Sequence, residues 1–388
     1  MPRILVSAGE PSGDLLAAAL VRQIKKIEPA AEIWAIGGGE LAKEADVFLA
    51  DLARHAVMGW VDPIVKLPIF WRTRAAARQA LKNKRFDLVI PVDFYGFNIR
   101  LAALAKSFGC RVIYYVSPQI WASRPGRLQK IKRYVDKVLC LFPFEPAIYA
   151  KHGIPAVFVG HPLTEILKNY PFSNSPLTPH PSPLIGLMPG SRPQEIKRHW
   201  PILLAVWGIV HDRFPQTKGI LFGRPEHLEL YPDRKTLAAS GIEFIEGPAY
   251  QKRLECELIL TASGLACLEN MILGLPMVIF YGVSPFWLYY ILDKIVTTPF
   301  VGMPNILAGR GVVKEFTWPM TAKNNRETSR LIALETIRLL DNPRELSSMR
   351  CQLAALTGGI AVKDHEPAQL AAQEICSHLT GNHAYAFQ

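Results

Sequence analysis

Four places in this chain put a carboxylate or a guanidinium where a short apolar run hands over to a helix-like stretch. The first is Ser7-Ala8-Gly9-Glu10-Pro11-Ser12-Gly13-Asp14. Its glycines let the backbone turn tightly and approach a ligand, and the start of the following helix offers unpaired N–H donors. It matches neither a Walker A loop nor GxGxxG. A turn capped by Ser12 or Asp14 would explain the octet equally well, although Glu10 at a strand end is harder to read as structure. The second is Pro91-Val92-Asp93-Phe94-Tyr95-Gly96-Phe97-Asn98. An Asp emerging from a buried strand gains proton affinity from partial burial and can serve as a general base. Capping of the next helix is the alternative.

The third is Pro189-Gly190-Ser191-Arg192, which offers N–H donors, a hydroxyl and a guanidinium suited to bidentate contact with phosphate oxygens. The fourth is Ala262-Ser263-Gly264-Leu265-Ala266-Cys267-Leu268-Glu269. Its turn can hold a diphosphate on N–H groups, the helix dipole adding about 0.3–1 kcal/mol. Glu269, one helical turn further in, stands where a carboxylate can bridge ribose hydroxyls. Each of these two also reads as a well-capped helix start. Weaker signals accompany them. Gly37-Gly38-Gly39 permits close approach of a backbone or ligand, or simply a flexible loop. Ser117-Pro118-Gln119-Ile120-Trp121 and Gly160-His161-Pro162-Leu163 follow later apolar runs, and His161 is either a structural histidine or a contact for phosphate or sugar.

Elements that alternate strand and helix must position these residues. Arg3–Ser7, Glu32–Ile36, Leu88–Val92, Val112–Val116, Lys137–Phe142 and Ala156–Val159 read as strands, with helix-like stretches between them. The pattern predicts βαβ units, a parallel sheet and functional loops at the carboxyl strand ends. Tyr170–Pro183, rich in Pro and Ser, reads as a linker over 171–183. Leu184–Met188, Gly219–Phe222, Ile242–Ile245, Glu257–Thr261 and Met277–Tyr281 begin a second series. The expected organisation is an α/β protein of two doubly wound, Rossmann-like domains facing a cleft. The first covers 1–170 and the second 184–355, and a helical segment over 356–388 is free to pack back on the first.

The 388 residues suffice for two cores. Apolar residues form 49% and charged residues 20%, which excludes a disordered chain. The net charge of +11 invites an anionic partner, or serves solubility. Six scattered cysteines without metal-ligand spacing read as reduced and mostly buried. The first residues run directly into a strand, so no signal peptide is expected, and no apolar run reaches the ~20 residues of a spanning helix. A cytoplasmic location follows.

Taken in order, the motifs resemble the bacterial lipid-A-disaccharide synthase family, GT-B glycosyltransferases. SAGEPSGD at 7–14, AVMG at 56–59, VDFYGFN at 92–98, YYVSPQIWA at 114–122, FPFE at 142–145 and VGHPL at 159–163 carry the likeness in the first half. PGSR at 189–192, ASGLACLE at 262–269, MPNILAGR at 303–310 and VVKE at 312–315 carry it in the second. The resemblance implies a β-1,6 transfer from UDP-2,3-diacylglucosamine to 2,3-diacylglucosamine 1-phosphate, with release of UDP. It places UDP in the second domain and the acylated acceptor in the first, and implies neither cofactor nor metal. Asp93 becomes the base, with Glu10 and Ser12 positioning a sugar. Gly190, Ser191, Arg192, Ser263, Gly264, Ala266 and Glu269 become donor contacts, with Asn305 a further polar contact and His161 a substrate contact. The chain departs from the family's usual pattern at Gly96, where an acid is expected, at Leu265, where a Thr is expected, and at Ser123, where a Trp is expected.

Gly59–Arg85 mixes Trp60, Ile64, Leu67, Ile69, Phe70 and Trp71 with Arg72, Arg74, Arg78, Lys82, Lys84 and Arg85. That mixture suits a peripheral membrane surface on the inner face of the cytoplasmic membrane, or a core-facing helix with a basic outer face. Pro285–Ile291 poses the same choice. Two other readings of the whole are a UDP-sugar-binding homologue with altered catalysis and another GT-B enzyme acting on UDP-N-acetylglucosamine. Nucleic acid has no recognisable module here. The oligomeric state stays open, with a homodimer among the options.

Overall fold

The computed structural model describes residues 1–53, 63–118, 120, 126–172, 182–296, 298–362 and 365–380. The motif at 56–59, Trp60, Gln119, Trp121, Ser123 and most of the linker lie outside them. The chain divides into two compact units, Met1–Glu165 with Ile360–Gln388, and Ile166–Gly359.

The first unit holds a seven-stranded sheet. Its strands are β1 (Arg3–Ala8), β2 (Glu32–Gly37), β3 (Val47–Asp51), β4 (Leu88–Val92), β5 (Arg111–Tyr115), β6 (Lys137–Cys140) and β7 (Ala156–Phe158). The spatial order is β3-β2-β1-β4-β5-β6-β7 and every pairing is parallel. The helices are α1 (Pro11–Ile27), α2 (Gly39–Glu44), α3 (Pro63–Asn83), α4 (Tyr95–Ser107), α5 (Arg127–Tyr134), α6 (Glu145–Ala150) and α7 (Pro162–Lys168). β1 and β4 are apolar along almost their whole length because both sheet faces are covered.

The second unit repeats the plan. β8 (Leu184–Met188), β9 (Lys218–Gly223), β10 (Ile242–Glu246), β11 (Leu258–Ala262), β12 (Met277–Val283) and β13 (Lys314–Pro319) lie in the order β10-β9-β8-β11-β12-β13, all parallel. Its helices are α8 (Pro193–Arg213), α9 (Arg234–Ala239), α10 (Tyr250–Leu254), α11 (Leu265–Ile272), α12 (Phe286–Ile295), α13 (Met303–Ala308), α14 (Ala322–Leu340) and α15 (Pro343–Ile360). The chain then returns to the first unit as α16 (Pro367–Thr380), which packs along α1. Glu374 pairs with Lys137, and Arg111 donates to the His378 carbonyl at 2.7 Å.

Each sheet changes its direction of growth once, between β1 and β4 and between β8 and β11. Ligand crevices in such sheets open at the carboxyl ends of the strands flanking that switch. All four strand–helix motifs sit there: SAGEPSGD after β1, the Asp93 segment after β4, PGSR after β8 and ASGLACLE after β11.

Candidate active site

The turn after β4 is built to hold one carboxylate. Asp93 and Phe94 both adopt left-handed backbone, with φ of 48° and 45°. That conformation costs a non-glycine residue about 1–2 kcal/mol, so neighbouring groups must hold it. Asn98 is one: its Nδ2 donates to the carbonyls of Ser7 (3.2 Å), Val92 (3.0 Å) and Asp93 (2.8 Å), and its Oδ1 accepts from the Ser7 hydroxyl at 2.8 Å. Tyr114, wholly buried on β5, donates its hydroxyl to the Asp93 carbonyl at 2.6 Å. The Phe94 ring lies over Gly9, where a Cβ would approach it to 2.1 Å, and stacks on Phe70 with centroids 6.0 Å apart. The turns after β1 and β4 are thus one interlocked unit.

Asp93 does not cap α4, which begins after Phe94 without a side-chain cap. Burial raises the Asp93 carboxyl above its ordinary range, partly opposed by a hydrogen bond from the Phe94 backbone. A Cβ on Gly13 would sit 3.8 Å from the Asp93 Cβ, so the first turn of α1 abuts the carboxylate. Glu10 precedes that turn and Ser12 lies within it, and both are exposed. Val116, at the end of β5, is also left-handed at φ 59°, a marked outlier for a β-branched residue. Beside it, Ser117 donates at 2.9 Å to Glu145, a buried carboxylate that also accepts from Leu141 N and Phe142 N.

Neither Ser12 nor Asp14 caps α1. Asp14 instead reaches across to α2 and accepts from the backbone N–H groups of Gly38 (2.6 Å), Glu40 (3.0 Å) and Leu41 (3.3 Å). This explains two glycines of the triplet. A Cβ on Gly37 or Gly38 would come within 2.8 or 2.7 Å of the Asp14 carboxylate, so the close approach is by Asp14.

His161 follows Gly160, which is left-handed at φ 87° and leaves room for Val362. Burial pushes the imidazole down to about 4, so it is neutral at ordinary pH, and its Nδ1 accepts from Leu163 N at 3.2 Å. The ring packs on Phe142 at 5.3 Å, and the His161 backbone donates to Ile360, fastening the returning C-terminal segment.

In the second unit, the α8 start carries its own acid. Glu195 accepts from Ser191 N (3.2 Å) and Arg192 N (3.3 Å), and pairs with the Arg192 guanidinium at 3.1 Å. Two of the N–H donors expected for phosphate are therefore already engaged. The guanidinium itself is 71% exposed, and the Ser191 residue is exposed as well. Gly190, at φ 123°, lies against Glu195, and a Cβ there would be 2.7 Å from the glutamate's own. His199 fixes the loop from below: Gly282 N–H donates to its Nε2, so its Nδ1–H donates to the Pro189 carbonyl at 2.9 Å.

The α11 start is the opposite case. Gly264 precedes it with no side-chain cap, its first turn holds no acid, and Leu265 is 56% exposed. Among the described residues the N–H groups of Leu265 and Ala266 meet no acceptor, which leaves them to a ligand or water. Ser263 donates its hydroxyl to the Val301 carbonyl at 2.8 Å, and Val301 N and Gly302 N donate to Glu315. Glu269 accepts from Tyr250 Oη (3.0 Å) and Arg253 Nη1 (2.8 Å), so both its oxygens are already in use. Nothing near Glu269 in the sequence signals these partners.

Asn305 corrects an expectation. It is 1% exposed, donates to the Val313 carbonyl and Glu315, and accepts from Val312 N and Val313 N. With two donors and two acceptors engaged, its amide has no capacity for a substrate. Asn98, Tyr114 and His199 are supporting residues to which the sequence reading gave no role, because each acts through backbone groups that only the fold brings to it.

The family model for lipid-A-disaccharide synthetase matches residues 4–356. The lipid-A-disaccharide synthase of Geobacter metallireducens is 34% identical over 363 residues, covering 91% of each chain. Lipid-A-disaccharide synthase 1 of Legionella pneumophila (strain Lens) is 37% identical, over 91% of this chain and 92% of its own. Among solved structures, the Staphylococcus aureus MnaA–UDP co-structure is similar with a TM-score of 0.60 at 14% identity, over 98% and 96% of the two chains. Acinetobacter baumannii MurG is similar with a TM-score of 0.52 at 14% identity, over 97% and 100%. These structural likenesses speak for the GT-B fold, and the sequence matches show that this chain belongs to the lipid-A-disaccharide synthase family.

Proposed function

We propose that the protein is an inverting glycosyltransferase that joins UDP-2,3-diacylglucosamine to 2,3-diacylglucosamine 1-phosphate. The carrying observation is the Asp93 turn, a left-handed backbone held by Asn98 and Tyr114 that aims a partly buried carboxylate at a sheet switch point. In this reading Asp93 takes the proton of the acceptor's 6-hydroxyl. The acceptor oxygen bonds to the donor's anomeric carbon from the face opposite the phosphate. The bond from that carbon to the phosphate oxygen breaks, and its electron pair leaves with UDP. Arg192 and the uncapped N–H groups of Leu265 and Ala266 hold the departing diphosphate, where fixed donors lower the barrier. Ser191, Gly190, Ser263 and Gly264 shape the backbone around it. Glu10 and Ser12 contact a sugar beside Asp93, and Glu269 contributes by orienting the α11 turn through Tyr250 and Arg253.

Peripheral membrane contact on the inner face of the cytoplasmic membrane fits α3. No helix among the described residues is long and apolar enough to cross a membrane. Trp71 is 66% exposed beside exposed Arg72, Arg74 and Arg78, while Thr73, Ala77 and Leu81 face inward. Phe70 does not belong to that surface, since it packs on Phe94 and Phe97.

Incubating the purified protein with both acylated sugars tests the function. The expected result is UDP release with a disaccharide 1-phosphate identified by mass spectrometry. UDP binding without turnover would instead support a binding-only homologue, and turnover of unacylated UDP-N-acetylglucosamine another transferase.

A further inference from the structure

Between α4 and α5 lies a cavity of about 470 Å³ whose lining includes Tyr95, Gly96, Arg100, Arg127, Lys130 and Tyr134. Among its described lining residues three are cations and none is an acid. The Arg127 guanidinium carbon lies 4.4 Å from the centroid of the Tyr95 ring, a cation–π contact that fixes one cation at the cavity wall. The Tyr95 hydroxyl is buried and has no hydrogen-bond partner among the described residues, a state that buried polar groups rarely keep without a ligand or water. Tyr95 and Gly96 are also the first residues of α4, a 13-residue helix with no side-chain cap and no acid in its first turn, so its end adds positive potential to the same wall. Gly96 contributes neither bulk nor charge: a Cβ there would meet nothing within 4 Å.

We infer that this cavity binds a phosphomonoester, and that its ligand is the 1-phosphate of the acceptor sugar. A phosphomonoester carries about −1.5 to −2 charges near neutrality and matches a site with three cations and two hydroxyl-bearing rings. Position supports the acceptor as its source. Tyr95 stands two residues from Asp93, a separation the backbone limits to ~7 Å. The acceptor carries its 1-phosphate and its nucleophilic 6-hydroxymethyl group on the two carbons that flank the ring oxygen. A phosphate seated in the cavity would therefore hold the 6-hydroxyl toward the carboxylate. The inference rests on the proposed transferase reading for its ligand, and on the cavity alone for its chemistry.

The test compares kcat/KM for diacylglucosamine 1-phosphate with that for the same acceptor lacking the phosphate. The wild type should prefer the phosphorylated acceptor at least tenfold. In the Arg100→Gln/Lys130→Gln variant, that preference should fall below threefold, and Arg100→Lys/Lys130→Arg should restore it. An unchanged preference in a variant with wild-type circular dichroism and melting temperature would overturn the assignment. Flotation with vesicles of phosphatidylcholine containing phosphatidic acid separates the other source of the same chemistry. Loss of flotation in the double variant with an unchanged acceptor preference would give the site to a lipid headgroup and likewise overturn the acceptor assignment. If the wild type makes no disaccharide, the transferase reading fails, and titration with glucosamine 1-phosphate against glucosamine judges the cavity directly. Phosphate-dependent binding that the double variant loses supports the site, and equal affinity for the two sugars sinks it.

Discussion

The two switch points have the same topology and opposite mechanical character. Between β1 and β4 the backbone is forced: Asp93 and Phe94 are left-handed, Asn98 spans three carbonyls, and an aromatic ring fills the space above Gly9. Between β8 and β11 the functional groups stand open, with an exposed Arg192 and an uncapped α11 start. A base must be held in one orientation at the reacting proton, and strain stored in its backbone is tolerated where the surroundings over-determine it. A diphosphate is held by several donors whose attraction falls off gradually, so exposed groups and helix ends suffice. Under the proposed function, the contrast assigns chemistry to the first switch point and retention of the diphosphate to the second.

The largest effect should come from Asp93→Asn, with kcat falling about 10²- to 10⁴-fold, as for loss of a general base. Asn tolerates left-handed backbone, so the turn should persist. The melting temperature separates this from unfolding. The folded-state pKa is raised, so the stability that Asp93 contributes is present at low pH and lost as pH rises through that raised value. At neutral pH the buried charge opposes folding, and the variant should melt no lower than the wild type. The wild-type kcat/KM should decline on the acid side at a pH above the ordinary aspartate value of about 3.9, because the reaction needs the ionised form. An acid limb at or below that value would remove Asp93 as the base.

Arg192→Ala should raise the donor KM about 10- to 100-fold, the loss of a charge-assisted contact worth about 1.5–3 kcal/mol. Equal donor KM values in the two proteins would take the diphosphate away from α8. A smaller, one-sided effect is expected of Gly9→Ala. Its Cβ would meet the Phe94 ring at 2.1 Å, so kcat should drop about tenfold through a displaced base, since small misplacements are costly in an active site. UDP affinity, measured by calorimetry, should not move. If UDP affinity falls with kcat, the division of labour between the switch points is wrong. The smallest effect is a gain: Leu265→Thr places a hydroxyl at the first α11 position and should lower the donor KM about three- to tenfold, the range of one added hydrogen bond.

Edge strands show what a linear reading misses. The central strands were legible because both faces are covered and their apolar runs are continuous. β3 (VFLAD) and β13 (KEFTWP) are the outermost strands of which the sequence reading gave no sign. Each is only partly buried and mixes charge with apolar residues, and β13 ends in a proline, a residue suited to an edge. The candidate site residues divide in the same way. Asp93, Arg192 and the α11 turn stand out in the sequence as candidates because they follow buried strands directly. Asp14 and Asn305 carry equally suggestive side chains, yet the fold uses both internally.

The sequence by itself determined the two α/β units, the placement of four motifs at strand–helix junctions and the family. Those properties depend on local periodicity, on turn chemistry and on motif order, all of which are written along the chain. The tertiary structure alone decided which polar groups remain available to a substrate. Asp14 is engaged by N–H groups 24 to 27 residues away, Glu269 by Tyr250 and Arg253, and two N–H groups of the α8 start by Glu195. A buried polar group must find a partner wherever the fold supplies one. Whether a carboxylate meets a backbone amide or a sugar hydroxyl is settled only when distant segments pack together.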